Sequence, residues 1–122
     1  MTILRGTTVT GQKINIKSSI MNLNVQERIA ILQMLPQNGS LYEMVDIMEI
    51  IKKVRITSEE KDELEYMEGK GVISWNINKD LGKEVEFKHD EIGILKSAVK
   101  KLDEEKKVNV SNLDICLKIN NL

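Results

Sequence analysis

With 122 residues, the chain has room for one domain and can bury roughly two-thirds of its unfolded surface, so it needs neither disulfide nor metal to fold. Hydrophobic residues make up 41% of it and aromatic residues 3%, namely Tyr42, Tyr66, Trp75 and Phe87, which points to a core built from Ile, Leu, Val and Met. A formal net charge of −1 supplies no overall field for a polyanion or an anionic membrane, which argues against nucleic acid and membrane as partners.

The charge is unevenly placed. Residues 1–35 carry Arg5, Lys13, Lys17 and Arg28 against Glu27 alone, a net of +3. Residues 36–70 carry nine acids against five bases, a net of −4, and the remaining 52 residues balance to zero. Such a distribution favours oriented docking to a protein, or self-association through opposite charges, over binding of a polyanion. Cys116 is the one cysteine, so no internal disulfide forms, as suits a reducing compartment. The apolar start of Met1-Thr-Ile-Leu breaks at Arg5 before any signal-peptide core is built. A cytoplasmic or virion-associated protein is the expectation.

In chain order, residues 1–22 read as an N-terminal strand or arm, with Val9, Ile14 and Ile16 among Gly6, Gly11 and polar residues. Residues 23–122 read as a single helical domain with a β-hairpin. Asn24-Val-Gln-Glu27 is a capping box that opens a helix over 25–35, with Val25, Ile29, Leu32 and Leu35 on one side and Pro36 as its stop. Ser40-Leu-Tyr-Glu43 opens a second helix to about Lys53. Its apolar stripe takes in Leu41, Met44, Met48 and Ile51, widened by Val45, Ile47 and Ile50, so it is expected to be the most buried element. Thr57-Ser-Glu-Glu60 opens a third, over 58–68.

Gly69-Lys-Gly71 then ends the helical stretch. Val72–Ile77, with Ile73, Trp75 and Ile77 on one face, and the alternating run around Val85 and Phe87 read as the two strands of a hairpin. Helices over 90–104 (Ile92, Leu95, Val99, Leu102) and 109–119 (Val110, Leu113, Cys116, Leu117) close an α+β, mostly helical fold.

Residues able to do chemistry are sparse. His89 is the one histidine, which excludes a multi-histidine metal site. Beside Asp90 at a helix start it is expected to be solvated rather than an acid–base pair. Cys116 lies on an apolar stripe, where a cysteine packs as a small hydrophobe. Gly69-Lys-Gly71 lies between helix and strand, the reverse of a phosphate-binding loop. No catalytic residue, cofactor, metal or small-molecule substrate is therefore expected.

What is left is surface. Glu59, Glu60, Asp62 and Glu63 crowd the third helix as candidate docking groups, with Trp75 as a candidate interface anchor and Arg5, Lys13 and Lys17 as a basic counterpart. Three helices followed by a hairpin resemble the order of a winged helix-turn-helix. A recognition helix needs Arg, Lys, Asn or Gln toward DNA, whereas the third helix here has Lys61 amid its acids.

Residues 23–119 also resemble a group of small bacteriophage and prophage proteins of uncharacterised function. The shared pattern runs through Glu27-Arg28, Ile31-Leu32, Leu35-Pro36, Thr57-Ser-Glu-Glu60, Ile73-Ser-Trp75-Asn76, Lys83-Glu84, Lys100-Lys-Leu-Asp-Glu104 and Leu113-Asp-Ile-Cys-Leu-Lys-Ile119. The resemblance implies a viral or prophage setting and assigns no functional residue. The expectation is a non-catalytic accessory protein that works by contact with an unidentified protein partner, either inhibiting a host or defence protein or joining a virion. The alternative is a winged-helix-like DNA-binding transcriptional regulator.

Overall fold

A computed structural model describes residues 18–122; Arg5, Lys13, Lys17 and the predicted strand around Val9, Ile14 and Ile16 lie outside these residues. The fold is α+β and mostly helical. Strand β1 (Ser19–Leu23) leads into helices α1 (Val25–Met34), α2 (Leu41–Val54) and α3 (Ser58–Leu64). Strands β2 (Met67–Gly69) and β3 (Val72–Ser74), a 3-10 turn (Ile77–Lys79) and strand β4 (Lys83–Phe87) follow, and helices α4 (His89–Glu104) and α5 (Leu113–Asn120) close the chain.

The three capping boxes do what their sequences dictate. Asn24, Ser40 and Thr57 each accept a backbone N–H from the glutamate three residues on, whose carboxylate accepts the N–H of the cap residue. A fourth glutamate, Glu91, takes the N–H of Lys88 at 2.8 Å. That helix start is hidden in the sequence because its N-cap residue is lysine.

The hairpin is not the predicted one. Val85 and Phe87 belong to β4, which pairs antiparallel with β1 in the register Ser19 to Phe87, Met21 to Val85 and Leu23 to Lys83. This register puts Met21, Leu23, Val85 and Phe87 on one buried face, and a slip of one residue would turn them all to solvent. Residues 19–22, expected in the N-terminal strand or arm, thus contribute to the core. Val72–Ser74 pairs instead with Met67–Gly69. The two-residue turn Lys70-Gly71, with φ of 52° and 77°, has the left-handed geometry that matches strand twist. Helix α3 stops early, at Glu65 with φ 57°, which frees 67–69 for that hairpin.

One hydrophobic core is built from both β1 and β4 and from four helices. It contains Leu23, Ala30, Ile31, Ile47, Ile50, Val54, Phe87, Leu95, Val99, Ile115 and Ile119. On α2 the buried stripe is Ile47, Ile50 and Val54, while Leu41, Val45 and Met48 point outward. The expected stripe was centred on the wrong side because apolar residues nearly encircle this helix. Helix α5 begins four residues later than expected: Asn109 and Asn112 exchange turn hydrogen bonds, as short amide side chains do in competition with a helix. Val110 is left exposed. No helix among the described residues is long and apolar enough to cross a membrane.

Candidate docking site

Between Val54 and Val85, Leu64 is the one buried hydrophobic side chain, and it stands apart from the main core cluster. This excursion holds α3, the β2–β3 hairpin and the 3-10 turn, and it is fastened at both ends by polar contacts.

At the outgoing end, Arg28 of α1 is buried to 2% exposure. Its Nε donates to the Val54 carbonyl at 2.9 Å and an Nη to the Arg55 carbonyl. These are carbonyls that the end of α2 leaves without helical partners, and a cation there also answers the helix dipole. The Nη1–Nη2 edge of the guanidinium donates to both carboxylate oxygens of Glu60, at 2.8 and 2.9 Å. Glu60 Oε1 accepts from Thr57 N as well. One arginine therefore joins the end of α2 to the start of α3. Its hydrogen bonds hold the Glu60 carboxyl down at about 2, against an ordinary 4.5.

At the returning end, Asp80 Oδ2 accepts the Val25 amide at 3.0 Å, a free donor of the first turn of α1. Gly82 follows with φ 81°, and a side chain there would meet the Asn22 amide group. Within the excursion, the Asn76 amide donates to the Leu64 carbonyl, and Lys79 and Asn76 hold Glu65. Leu64 is the buried apolar contribution of α3.

The excursion exposes both apolar and acidic side chains. Met67, Val72, Ile73, Ile77 and Leu81 are exposed, Ile77 at 75% and Leu81 at 87%, and the β2–β3 register sets Met67 and Val72 on one face of the hairpin and Ile73 with Glu68 on the other. Single exposed apolar residues are ordinary, but several on one short segment that buries only Leu64 are not. Glu59, Asp62 and Glu63 are exposed on α3, and Glu68 holds the Tyr66 hydroxyl at 2.9 Å.

The predicted docking residues thus separate. Glu59, Asp62 and Glu63 stand free in solvent, whereas Glu60 is committed to Arg28 and serves the fold. Trp75 lies half-buried in the excursion and outside the core, and its buried Nε1 meets no acceptor among the described residues. Sequence reasoning missed Arg28, Asp80 and the exposed apolar residues. Ile73, Ile77 and Leu81 stand at intervals of four and Ile73, Trp75 and Ile77 at intervals of two, so periodicity suggested a buried face and carried no signal of their exposure.

The remaining chemical groups are placed as follows. His89 and Asp90 are exposed in the first turn of α4, beside a cleft shared with Glu43 and Asp46. Cys116 is buried in the core, and its thiol is pushed up, first by burial and then by Asp103. Among the described residues no group of three or more His, Cys, Asp or Glu side chains is placed to hold a metal ion. Comparison of the chain with family models, curated proteins and solved structures found no match.

Proposed function

We propose that the chain is a non-catalytic binding protein whose excursion, residues 55–84, docks a protein partner. The observation that carries this reading is the exposure of Met67, Val72, Ile77 and Leu81 on a segment absent from the main core cluster. Water-exposed apolar groups of this kind gain free energy when a partner covers them, about 25 cal/mol for each Å². The exposed acids of the same segment add direction: Glu59, Asp62 and Glu63 favour a partner that also presents basic groups. In the phage setting that the sequence resemblance implies, the partner is a host or defence protein, or a neighbour in a virion.

The test is a comparison of Ile77→Asp and Leu81→Asp with the parent chain. Both should fold with unchanged stability and lose a partner that the parent captures, and Glu59→Lys/Glu63→Lys should weaken the same complex. Capture that survives both apolar substitutions would refute the excursion as the docking surface.

The order α1, α2, α3 and hairpin supports a second reading as a winged-helix-like DNA-binding regulator. Its third helix, however, would bring Glu59, Asp62 and Glu63 toward phosphates. Tight binding to duplex DNA with a steep loss of affinity as salt rises would favour this reading over protein docking.

A further inference from the structure

The excursion is packed against itself more than against the core. Helix α3 makes its main element contacts with the 3-10 turn, and β2 makes its own with β3, so each partner lies inside residues 55–84. Leu64 is the one buried hydrophobic side chain, and both hairpin strands are exposed throughout. At the seam a cleft of about 230 Å³ is lined by Val25 and Arg28 of α1 and by Glu60, Leu64 and Asp80 of the excursion. A true core would be close-packed there.

Both fastenings close on the first turn of α1. The Arg28 side chain holds Glu60 at the outgoing end, and Asp80 holds the Val25 amide at the returning end. Inside the excursion the two ends are joined, since the Asn76 amide donates to the Leu64 carbonyl at 2.8 Å and Lys79 Nζ to Glu65 at 2.9 Å. The core does not depend on what lies between. Val54 and Val85 are both buried in it, and β4 is held by β1, not by β2 or β3. A segment of this build gives up few buried contacts on opening and regains backbone freedom along its length.

We infer that residues 57–80 form a flap that opens and shuts as one unit on a core that stays folded. Opening breaks the Arg28–Glu60 and Val25–Asp80 contacts together and uncovers the first turn of α1. The chain that follows Val54 and the chain that precedes Val85 serve as the hinges. This flap does not rest on the excursion's being a docking surface.

Native-state hydrogen exchange of the full chain, read amide by amide at rising sub-denaturing urea, tests this. Three amides report on the flap. Tyr66 is bonded to the Lys61 carbonyl, Asn76 to that of Leu64, and Val25, although part of a core helix, to Asp80. They should share one opening equilibrium and one urea slope, smaller than that of the buried Ile31, Ile50 and Leu95. They should also exchange at least about a hundredfold faster than those core amides. Ile119→Val, which trims the core at α5, should speed the core amides about two- to tenfold and leave Tyr66, Asn76 and Val25 unchanged. Asp80→Ala should speed the Lys61 amide, beside the far fastening, by the same factor as Asn76. Flap amides that exchange in step with the core, or that quicken with it in Ile119→Val, overturn the inference. So do three unrelated urea slopes, or a Lys61 amide that Asp80→Ala leaves unmoved.

Discussion

Arg28 and Glu60, 32 residues apart, form a paired hydrogen bond with both contacts under 3 Å. Only 3% of the arginine side chain is exposed, against 25% of the glutamate's. The pair sits where the chain leaves the core, so it decides whether residues 55–84 are held in place. Two further carbonyls on the same guanidinium keep the buried charge satisfied, the condition under which such a pair is tolerated.

Replacing Glu60 by Gln keeps the capping box, since glutamine serves at that position, and removes the charge from Arg28. The expected loss is about 2–3 kcal/mol of unfolding free energy. Glu59→Gln, one residue away and exposed, should change it by less than about 0.5 kcal/mol. Urea unfolding of the two variants beside the parent measures the difference.

The same pair makes stability depend on pH. Glu60 titrates near 2 when folded and near 4.5 in its ordinary state. A lowered carboxylate contributes fully above the higher value, and its contribution is lost as pH falls from 4.5 toward 2. The contribution is up to about 3 kcal/mol. Urea midpoints followed down through this window should fall for the parent chain. Glu60→Gln should show a smaller drop; an equal drop would show that other carboxylates govern acid unfolding.

Gly82 holds φ at 81° directly before β4, against Asn22 of β1. Gly82→Ala should therefore cost about 1–2 kcal/mol from backbone strain alone. Adding Asn22→Ala removes the side-chain collision and leaves the strain, so stability should recover only in part. Full recovery would place the whole cost in the collision.

Cys116 is buried in the core with its thiol pushed above the ordinary range. A thiol in that state is a poor nucleophile. A disulfide reagent should leave it almost unmodified in the native chain and titrate one equivalent in denaturant. Rapid native modification would contradict the burial.

Much of the fold could be read from local chemistry. Asn24, Ser40 and Thr57 announce three helix starts by capping, and Pro36 announces an end, because those signals act within four residues. Strand pairing was less legible. Val85 and Phe87 alternate correctly, but alternation does not name a partner, and Met21 and Leu23 lie more than 60 residues away in the chain. The left-handed Glu65 that ends α3 also lacks a sequence signal, since glutamate seldom takes that conformation. For the candidate site, the exposed acids of α3 were legible from composition. Arg28 was not, because its role depends on the end of α2 and the start of α3 coming to the same place.

The central claim is that the apolar residues of the excursion serve a partner and not the fold. Unfolding free energy of Ile77→Asp and Leu81→Asp, measured beside capture of the partner, tests it most directly. Expected are stabilities within about 0.5 kcal/mol of the parent and loss of the complex. A stability loss of about 2 kcal/mol or more, on the scale of a damaged core, or a complex that forms undiminished, would contradict the claim.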